Sequence, residues 1–284
     1  MGQPVKSRDT FLSVFRSCLE KHSIESKMSV LVIGGAPADK EVLEKAGLPL
    51  VHMSNLGEEI ARREVFAAPL DHPAVALDAE NLDMRNESYD IVFAHEVLHH
   101  CRSPHRALCE MLRVSRNFVI FQEPHDSWFM RLLTSFRLTY PYELAAVVAN
   151  GYLAGGVRDS QIPNFIYRWS HHEVTKCVAS YLAGQECAVY AFPYWDFNAT
   201  EADLDLRRET RIRYLTRVFG TRNFLRILRA GQHGLNSISI TRRQGNKFLC
   251  CIGKTNQLKP WLKCENGQIV FDQHYSWKAR TPRV

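Results

Sequence analysis

Short apolar runs rich in β-branched residues, each ending at a turn or polar residue and followed by a helical pattern, recur through the first 124 residues. The first covers 29–33 and stops at Gly34-Gly35; 39–46 then has helical spacing, and 48–53 is apolar again. A third run at 74–77 precedes Asp78-Ala79-Glu80, and a fourth at 89–94 precedes His95. After a helical stretch at 104–113, a fifth run at 118–122 ends at Glu123-Pro124. Continuous rather than alternating apolar runs suit strands buried on both faces. Strands separated by helices at this pitch predict an α/β three-layer sandwich with a doubly wound, mostly parallel sheet and right-handed crossovers. Ligands of such sheets bind outside the carboxyl ends of the strands, which places Gly34, His52, Asp78, His95 and Glu123 where chemistry is expected.

The rest of the chain divides around that core. Phe11, Val14, Phe15, Cys18 and Leu19 recur at helical spacing, so 1–27 reads as a cap helix ahead of a core at 28–127. From 128 to 231 the pattern breaks into helices and aromatic-rich loops, including Tyr140-Pro-Tyr142, Tyr167-Arg-Trp169 and Pro193-Tyr-Trp195, and reads as a substrate-facing insertion. Segments 236–241 and 247–252 around Gln244-Gly-Asn246 predict an antiparallel hairpin closing one sheet edge within 232–256. The tail at 257–284 has no assignable pattern.

Val30-Leu-Val-Ile-Gly-Gly-Ala-Pro-Ala-Asp39 resembles the first motif of class I S-adenosylmethionine-dependent methyltransferases, in which a strand ends in a glycine-rich turn against the cofactor. Close backbone approach is the physical demand. Only Gly34 and Gly35 are present, with Ala36 and Ala38 at the other glycine positions. In His52-Met-Ser54, His52 stands where the family has a ribose-binding acid, with Ser54 or Asn55 as substitutes. Leu77-Asp-Ala-Glu-Asn-Leu82, Ser88-Tyr-Asp-Ile-Val-Phe93, Val97-Leu-His-His100 and the run Pro104 to Val114 are similar, in order and spacing, to the block typical of small-molecule methyltransferases.

The resemblance, covering about 29–124 and the closing hairpin, implies a Rossmann-like methyltransferase fold and S-adenosylmethionine as cofactor. Gly34, Gly35, Ala36, His52, Ser54, Asn55, Asp78, Ala79, Ala94 and His95 would line its site, with Asp78 accepting from the adenine amino group and the Ala79 amide donating to the ring. A carboxylate suits that role because, ionised, it only accepts. The reaction implied is methylation of a small molecule, at oxygen on a sugar-like or secondary-metabolite acceptor. Where the acceptor is a hydroxyl a base helps, and the candidates are His95, Glu123, His125 and His171, with His172 beside the last.

Two other functions compete with this one. His95-Glu-Val-Leu-His99, with His105 further on, spells a zinc-peptidase motif. Its first half falls on a strand pattern, however, Arg102 stands where that class turns on glycine, and Pro104 interrupts the helix. No metal site is therefore expected. The eroded glycine turn also fits a non-catalytic relative used for assembly or regulation.

The formal net charge of +6 is concentrated in eight arginines between Arg207 and Arg229, interleaved with apolar residues at helical spacing. This reads as an amphipathic helix with a basic face, or as a surface for an anionic acceptor or a nucleic acid, although no nucleic-acid-binding motif accompanies it. The eight cysteines show no Cys-x-x-Cys spacing and predict reduced thiols. No run approaches the roughly 18 apolar residues of a membrane span, and no secretory leader pattern is present, so a cytoplasmic location is expected.

Overall fold

The computed structural model describes residues 6–56, 75–197, 199–201, 204 and 210–276. Helix α1 (Lys6–Lys21) precedes β1 (Val30–Ile33), α2 (Pro37–Lys45), β2 (Val51–Asn55), β3 (Val75–Ala76) and β4 (Tyr89–His95). A 3-10 turn at Leu98–His100 leads to α3 (Pro104–Val114) and β5 (Ser115–Pro124). The insertion supplies α4 (Trp128–Ser135), α5 (Ala145–Ala149), α6 (His171–Tyr181) and β6 (Gln185–Tyr194). Then follow α7 (Ile212–Phe219), α8 (Thr221–Ser237), α9 (Ser239–Arg242), β7 (Lys247–Leu258), β8 (Leu262–Glu265) and β9 (Gln268–Phe271).

The main sheet runs β3-β2-β1-β4-β5-β7-β6. Its first five strands are parallel, while β7 is antiparallel to both β5 and β6. The order reverses between β1 and β4, the crevice where ligands of doubly wound sheets bind.

Strand periodicity sorts the core into two layers. Leu31 and Ile33, Val92 and Ala94, Val119 and Phe121, and Phe248, Cys250 and Ile252 face α3 and α6, meeting Leu108, Met111, Leu112, Val174 and Val178. The alternate residues Val30, Val32, Ile91, Phe93, Ile120, Leu249 and Cys251 face α1 and α2, meeting Phe11, Phe15, Cys18 and Leu43. The N-terminal helix is thus part of the core. Truncating any one of these fully buried leucines or phenylalanines should cost about 2–5 kcal/mol.

The sheet edge differs from the sequence expectation. Segment 236–241 is not a strand: α8 runs to Ser237 and α9 begins at Ser239. The partner of β7 is instead β6, from inside the insertion, in register from Gln185↔Leu258 to Tyr194↔Lys247. Ile238 and Ile240 alternate like strand residues, but both are exposed, so there was no buried face to hold them in a sheet. The ten-residue β6 covers the edge that a short arm would have left open.

The tail is also more regular than its polarity suggested. Residues β8 and β9 form a hairpin, and both Asn266 and Gly267 at its turn have positive φ, as an Asn-Gly turn of this type requires. Residues 277–284, and Arg207 and Arg208 of the arginine run, lie outside the described residues. All eight cysteines are free of disulfides. Among the described residues no helix is long and apolar enough to cross a membrane.

Candidate functional site

At the carboxyl ends of β1, β2, β3 and β4 lies a cavity of about 380 Å³, walled by Gly34, Ala36, Asp39, Asn55, Asp78, Ala79, Glu80 and His95 to Val97. The insertion closes it with Ala146, Asn150, Gly155, Gly156, Arg158 and Asp159, while His100 and Cys101 contribute from the turn after β4.

The β1 turn shows why two glycines remain. Gly34 has φ +61, and a Cβ there would sit 2.8 Å from both methyls of Val97, so the turn packs directly on the loop after β4. Gly35 faces inward, where a Cβ would meet Met53 Cε at 2.4 Å and Val32 Cγ1 at 2.6 Å; its role is packing, and it does not line the cavity. At the start of α2, Asp39 Oδ2 accepts from the Ala36 amide at 2.9 Å, and Asp39 Oδ1 lies 2.7 Å from His95 Nδ1.

His95 therefore has both ring nitrogens engaged, Nδ1 with Asp39 and Nε2 with Gln122 Oε1 at 3.1 Å, and its ring stacks on Phe11 at 4.6 Å. Gln122 Oε1 also accepts from Tyr194.

The other expected site residues separate by strand face. Asn55 is at the cavity. His52 points to the outside of the sheet and bonds Tyr89 Oη at 2.9 Å, because residues three apart in a strand lie on opposite faces. Ser54 is buried and donates to the Val32 carbonyl at 2.7 Å. Ala94 is buried in the core facing α3.

Asp78 and Glu80 form an acidic lip bridged by the insertion. Arg158, in the left-handed region at φ 49, places Nη2 2.8 Å from Asp78 Oδ2 and Nη1 3.1 Å from Glu80 Oε2. Burial raises the Asp78 pKa, but the Arg158 guanidinium and the Glu80 amide outweigh it and hold the carboxyl below its ordinary range. Glu80 also accepts from the amides of Arg102 and Ser103.

Beside the cavity is a second, buried polar cluster. Glu123 is fully buried; its Oε1 accepts from the amides of Val97 and Leu98 at 2.8 and 2.7 Å, and its Oε2 lies 2.5 Å from His99 Nδ1. On the opposite side of the His99 ring, Nε2 is 3.1 Å from Glu143 Oε2, which also receives Asn164 Nδ2 at 3.3 Å. Burial disfavours the His99 charge, but Glu123 and then Glu143 overcome it and raise the pKa to about 10. Glu143, though desolvated, is lowered to about 2 by His99. Burial and the neighbouring His99 lower His100.

Of the four base candidates, only His95 reaches the cavity. Glu123 is spent on holding the 97–99 turn. His125 bonds the Gly245 carbonyl and stacks on Phe248. His171 opens α6 and contacts the Val189 carbonyl, with His172 exposed beside it.

The peptidase motif is likewise taken apart. His95 ends a strand, Glu96 has φ 57, His99 sits in a 3-10 turn, and His105 pairs with Glu173 at 3.2 Å. Sequence reasoning did not find Asp39, Glu143, Arg158 or Asn164 as site residues. Asp39 alone had a local signal, three residues beyond the turn that starts α2.

Residues 43–120 match the methyltransferase domain family model. No curated protein matches the chain by sequence. Among solved structures, a chain of the Haloferax volcanii complex between the Trm112 methyltransferase activator and a methyltransferase is 14% identical at TM-score 0.53, covering 89% of this chain and 93% of that one. A S-adenosylmethionine-dependent methyltransferase from Mesorhizobium loti is 12% identical at TM-score 0.46, covering 84% and 96%. Residues 43–120 are thus similar to the methyltransferase domain family, and the strand order gives the chain a Rossmann-like methyltransferase fold.

Proposed function

We propose that the chain transfers a methyl group from S-adenosylmethionine to a small acceptor, at oxygen. One observation carries this reading. The cavity at the sheet's crossover crevice has the volume of a small-molecule site and is walled by the residues that the family resemblance assigns to the cofactor, Gly34, Ala36, Asn55, Asp78, Ala79 and His95.

In this reading Gly34 lets the backbone approach the methionine part. Asn55, at the end of β2, takes the ribose in place of an acid, offering both a donor and an acceptor. Asp78 and the Ala79 amide address the adenine, so Arg158 must share or release the Asp78 carboxylate. The cofactor supplies a methyl group already activated by sulfonium charge; the protein's part is to align the acceptor and exclude water. With both ring nitrogens occupied, His95 acts as a positioning residue that fixes the start of α2 against the end of β4.

The acceptor is proposed to enter beside the insertion. Tyr142 and Phe165 form an exposed edge-to-face pair with centroids 5.6 Å apart, next in sequence to Glu143, which lies 3.4 Å from cavity-lining His100. Such a pair offers a stacking surface to a ring-shaped acceptor. The two earlier functions remain as outcomes of the test: a non-catalytic relative would bind no cofactor, and the peptidase geometry is absent among the described residues.

Melting of the purified chain with and without saturating S-adenosylhomocysteine tests the reading. At about 100 times the dissociation constant, binding stabilises by about 2.7 kcal/mol, an upward shift of several degrees for a chain this long. No shift at millimolar S-adenosylhomocysteine would remove the cofactor assignment. With a shift in hand, radiolabelled methyl transfer to a panel of hydroxylated acceptors decides the substrate class.

A further inference from the structure

The His99 cluster holds more than an ion pair needs. His99 Nε2 and His100 Nε2 converge on one oxygen, Glu143 Oε2, at 3.1 and 3.4 Å, and the three atoms all lie within 4.8 Å of one another. Nitrogen and oxygen ligands of a zinc-class ion sit about 2.0–2.2 Å from it, which in a tetrahedron gives ligand-to-ligand edges of about 3.3–3.6 Å. The 3.4 Å edge falls in that range, and the 3.1 Å edge would open by a few tenths of an ångström on binding.

The other ring nitrogens are engaged in the way metal-binding histidines require. His99 Nδ1 faces the buried carboxylate of Glu123 at 2.5 Å, and Glu123 is itself fixed by the Val97 and Leu98 amides. His100 Nδ1 faces the Gly156 carbonyl at 3.4 Å. Both rings are thereby oriented with Nε2 toward Glu143. Asn164, fully buried, donates to Glu143 Oε2 from Nδ2 and to the His99 carbonyl, while its Oδ1 has no partner.

Access is graded as well. His99 is 4% exposed, but His100 and Glu143 are 26% and 29% exposed, and His100 lines the cofactor cavity. Three protein ligands at a partly open site leave a coordination position for an outside oxygen, the arrangement of a reactive rather than a purely structural metal centre.

We propose that His99, His100 and Glu143 bind one divalent transition-metal ion of the zinc class, whose open position faces the acceptor side of the cavity. Two imidazoles and one carboxylate suit Zn²⁺, Co²⁺, Fe²⁺ or Mn²⁺ over Ca²⁺ and Mg²⁺. Binding takes both imidazoles through unprotonated Nε2 atoms, any proton there leaving to solvent, and sets the ion's charge against Glu143. An acceptor hydroxyl on the open position would lose its proton more readily. That role alone rests on the proposed methyl transfer; metal binding does not.

The chelator-treated full chain, titrated with Co²⁺ and followed by visible absorption, tests the site. One equivalent should bind, with ligand-field bands of a histidine and carboxylate set and no thiolate charge-transfer band. His100→Ala and Glu143→Gln should each weaken binding at least about tenfold, the lower bound set by losses seen for outer partners of metal ligands. Circular dichroism and the S-adenosylhomocysteine shift report folding and the cofactor site separately.

Failure to bind Co²⁺ in wild type would overturn the proposal, as would equal affinity in both folded variants. A thiolate band would overturn it too, placing the ion at Cys18, His22 and Cys251, the other group among the described residues whose ligand atoms lie within 4.8 Å. A shift with S-adenosylhomocysteine but without Co²⁺ binding would leave the methyltransferase reading intact and remove this one. If either variant fails to fold, the stoichiometry and band pattern of wild type still decide.

Discussion

Two polar cross-links tie the insertion to the sheet, and they differ in how far water reaches them. Arg158 bridges Asp78 and Glu80 with 33% of its side chain exposed, whereas His99 joins Glu123 and Glu143 at 4% exposed. Coulomb attraction at similar distances is several-fold weaker in the wetter environment and is screened by salt. Under the proposed cofactor placement, the Arg158 link is the one that opens to admit the adenine. The His99 link is fixed, because leaving Glu123 unpaired in the interior is costly.

The sharpest way to break this contrast is Glu123→Ala, which strands the His99 charge and two backbone amides. It should cost about 3–5 kcal/mol in urea unfolding, the range for breaking a buried pair. A loss below about 1 kcal/mol would mean the cluster is no more fixed than the Arg158 bridge.

Glu143→Gln should cost less, about 1–3 kcal/mol, since Glu143 keeps some contact with water. Its pH dependence sharpens the comparison. His99 is raised from 6.5 to about 10, so its contribution is complete below pH 6.5 and is lost as pH rises through about 10. Glu143 is lowered from 4.5 to about 2, so its contribution is complete above pH 4.5 and is lost as pH falls through about 2. The stability difference between wild type and variant should be greatest between pH 4.5 and 6.5 and shrink on both sides. A difference constant from pH 3 to pH 9 would contradict the ionic reading.

On the other cross-link, Asp78→Ala should weaken S-adenosylhomocysteine by about 1–3 kcal/mol in calorimetry, the loss expected for one buried polar partner. Unchanged affinity would take the adenine away from Asp78. Smallest of all, Arg158→Ala should change stability by no more than about 1 kcal/mol, with the difference fading as salt is added. A salt-independent loss of several kcal/mol would place Arg158 with the fixed cluster.

How far the site could be read in advance depended on how local its physics is. The block from Leu77 to Leu82 and the strand at 89–94 carry their own pattern; Leu77 to Glu80 wall the cavity, and His95 reaches it from the end of that strand. His52 and Asn55 lie on one strand, and only the register Leu31↔His52 with the strand's alternation puts Asn55 inside and His52 outside. Glu143 meets His99 across 44 residues and Arg158 meets Asp78 across 80, so no spacing announces either pair.

The misplaced hairpin arm teaches the same point. Ile238 and Ile240 gave a two-residue period on 236–241, a real pattern that no tertiary face rewarded. The strand that does pair, 185–194, carries Val189, Tyr190 and Phe192 among aromatic residues that read equally well as loop or core.

By itself the sequence determined the parallel core, its two-sided burial and the placing of Gly34, Asp78 and His95 at the carboxyl edge, because apolar periodicity and turn glycines act within a few residues of chain. The tertiary structure decided the edge strand, the Arg158 bridge and the convergence of His99, His100 and Glu143. Those depend on which distant segments desolvate one another, and desolvation is a property of the packed chain.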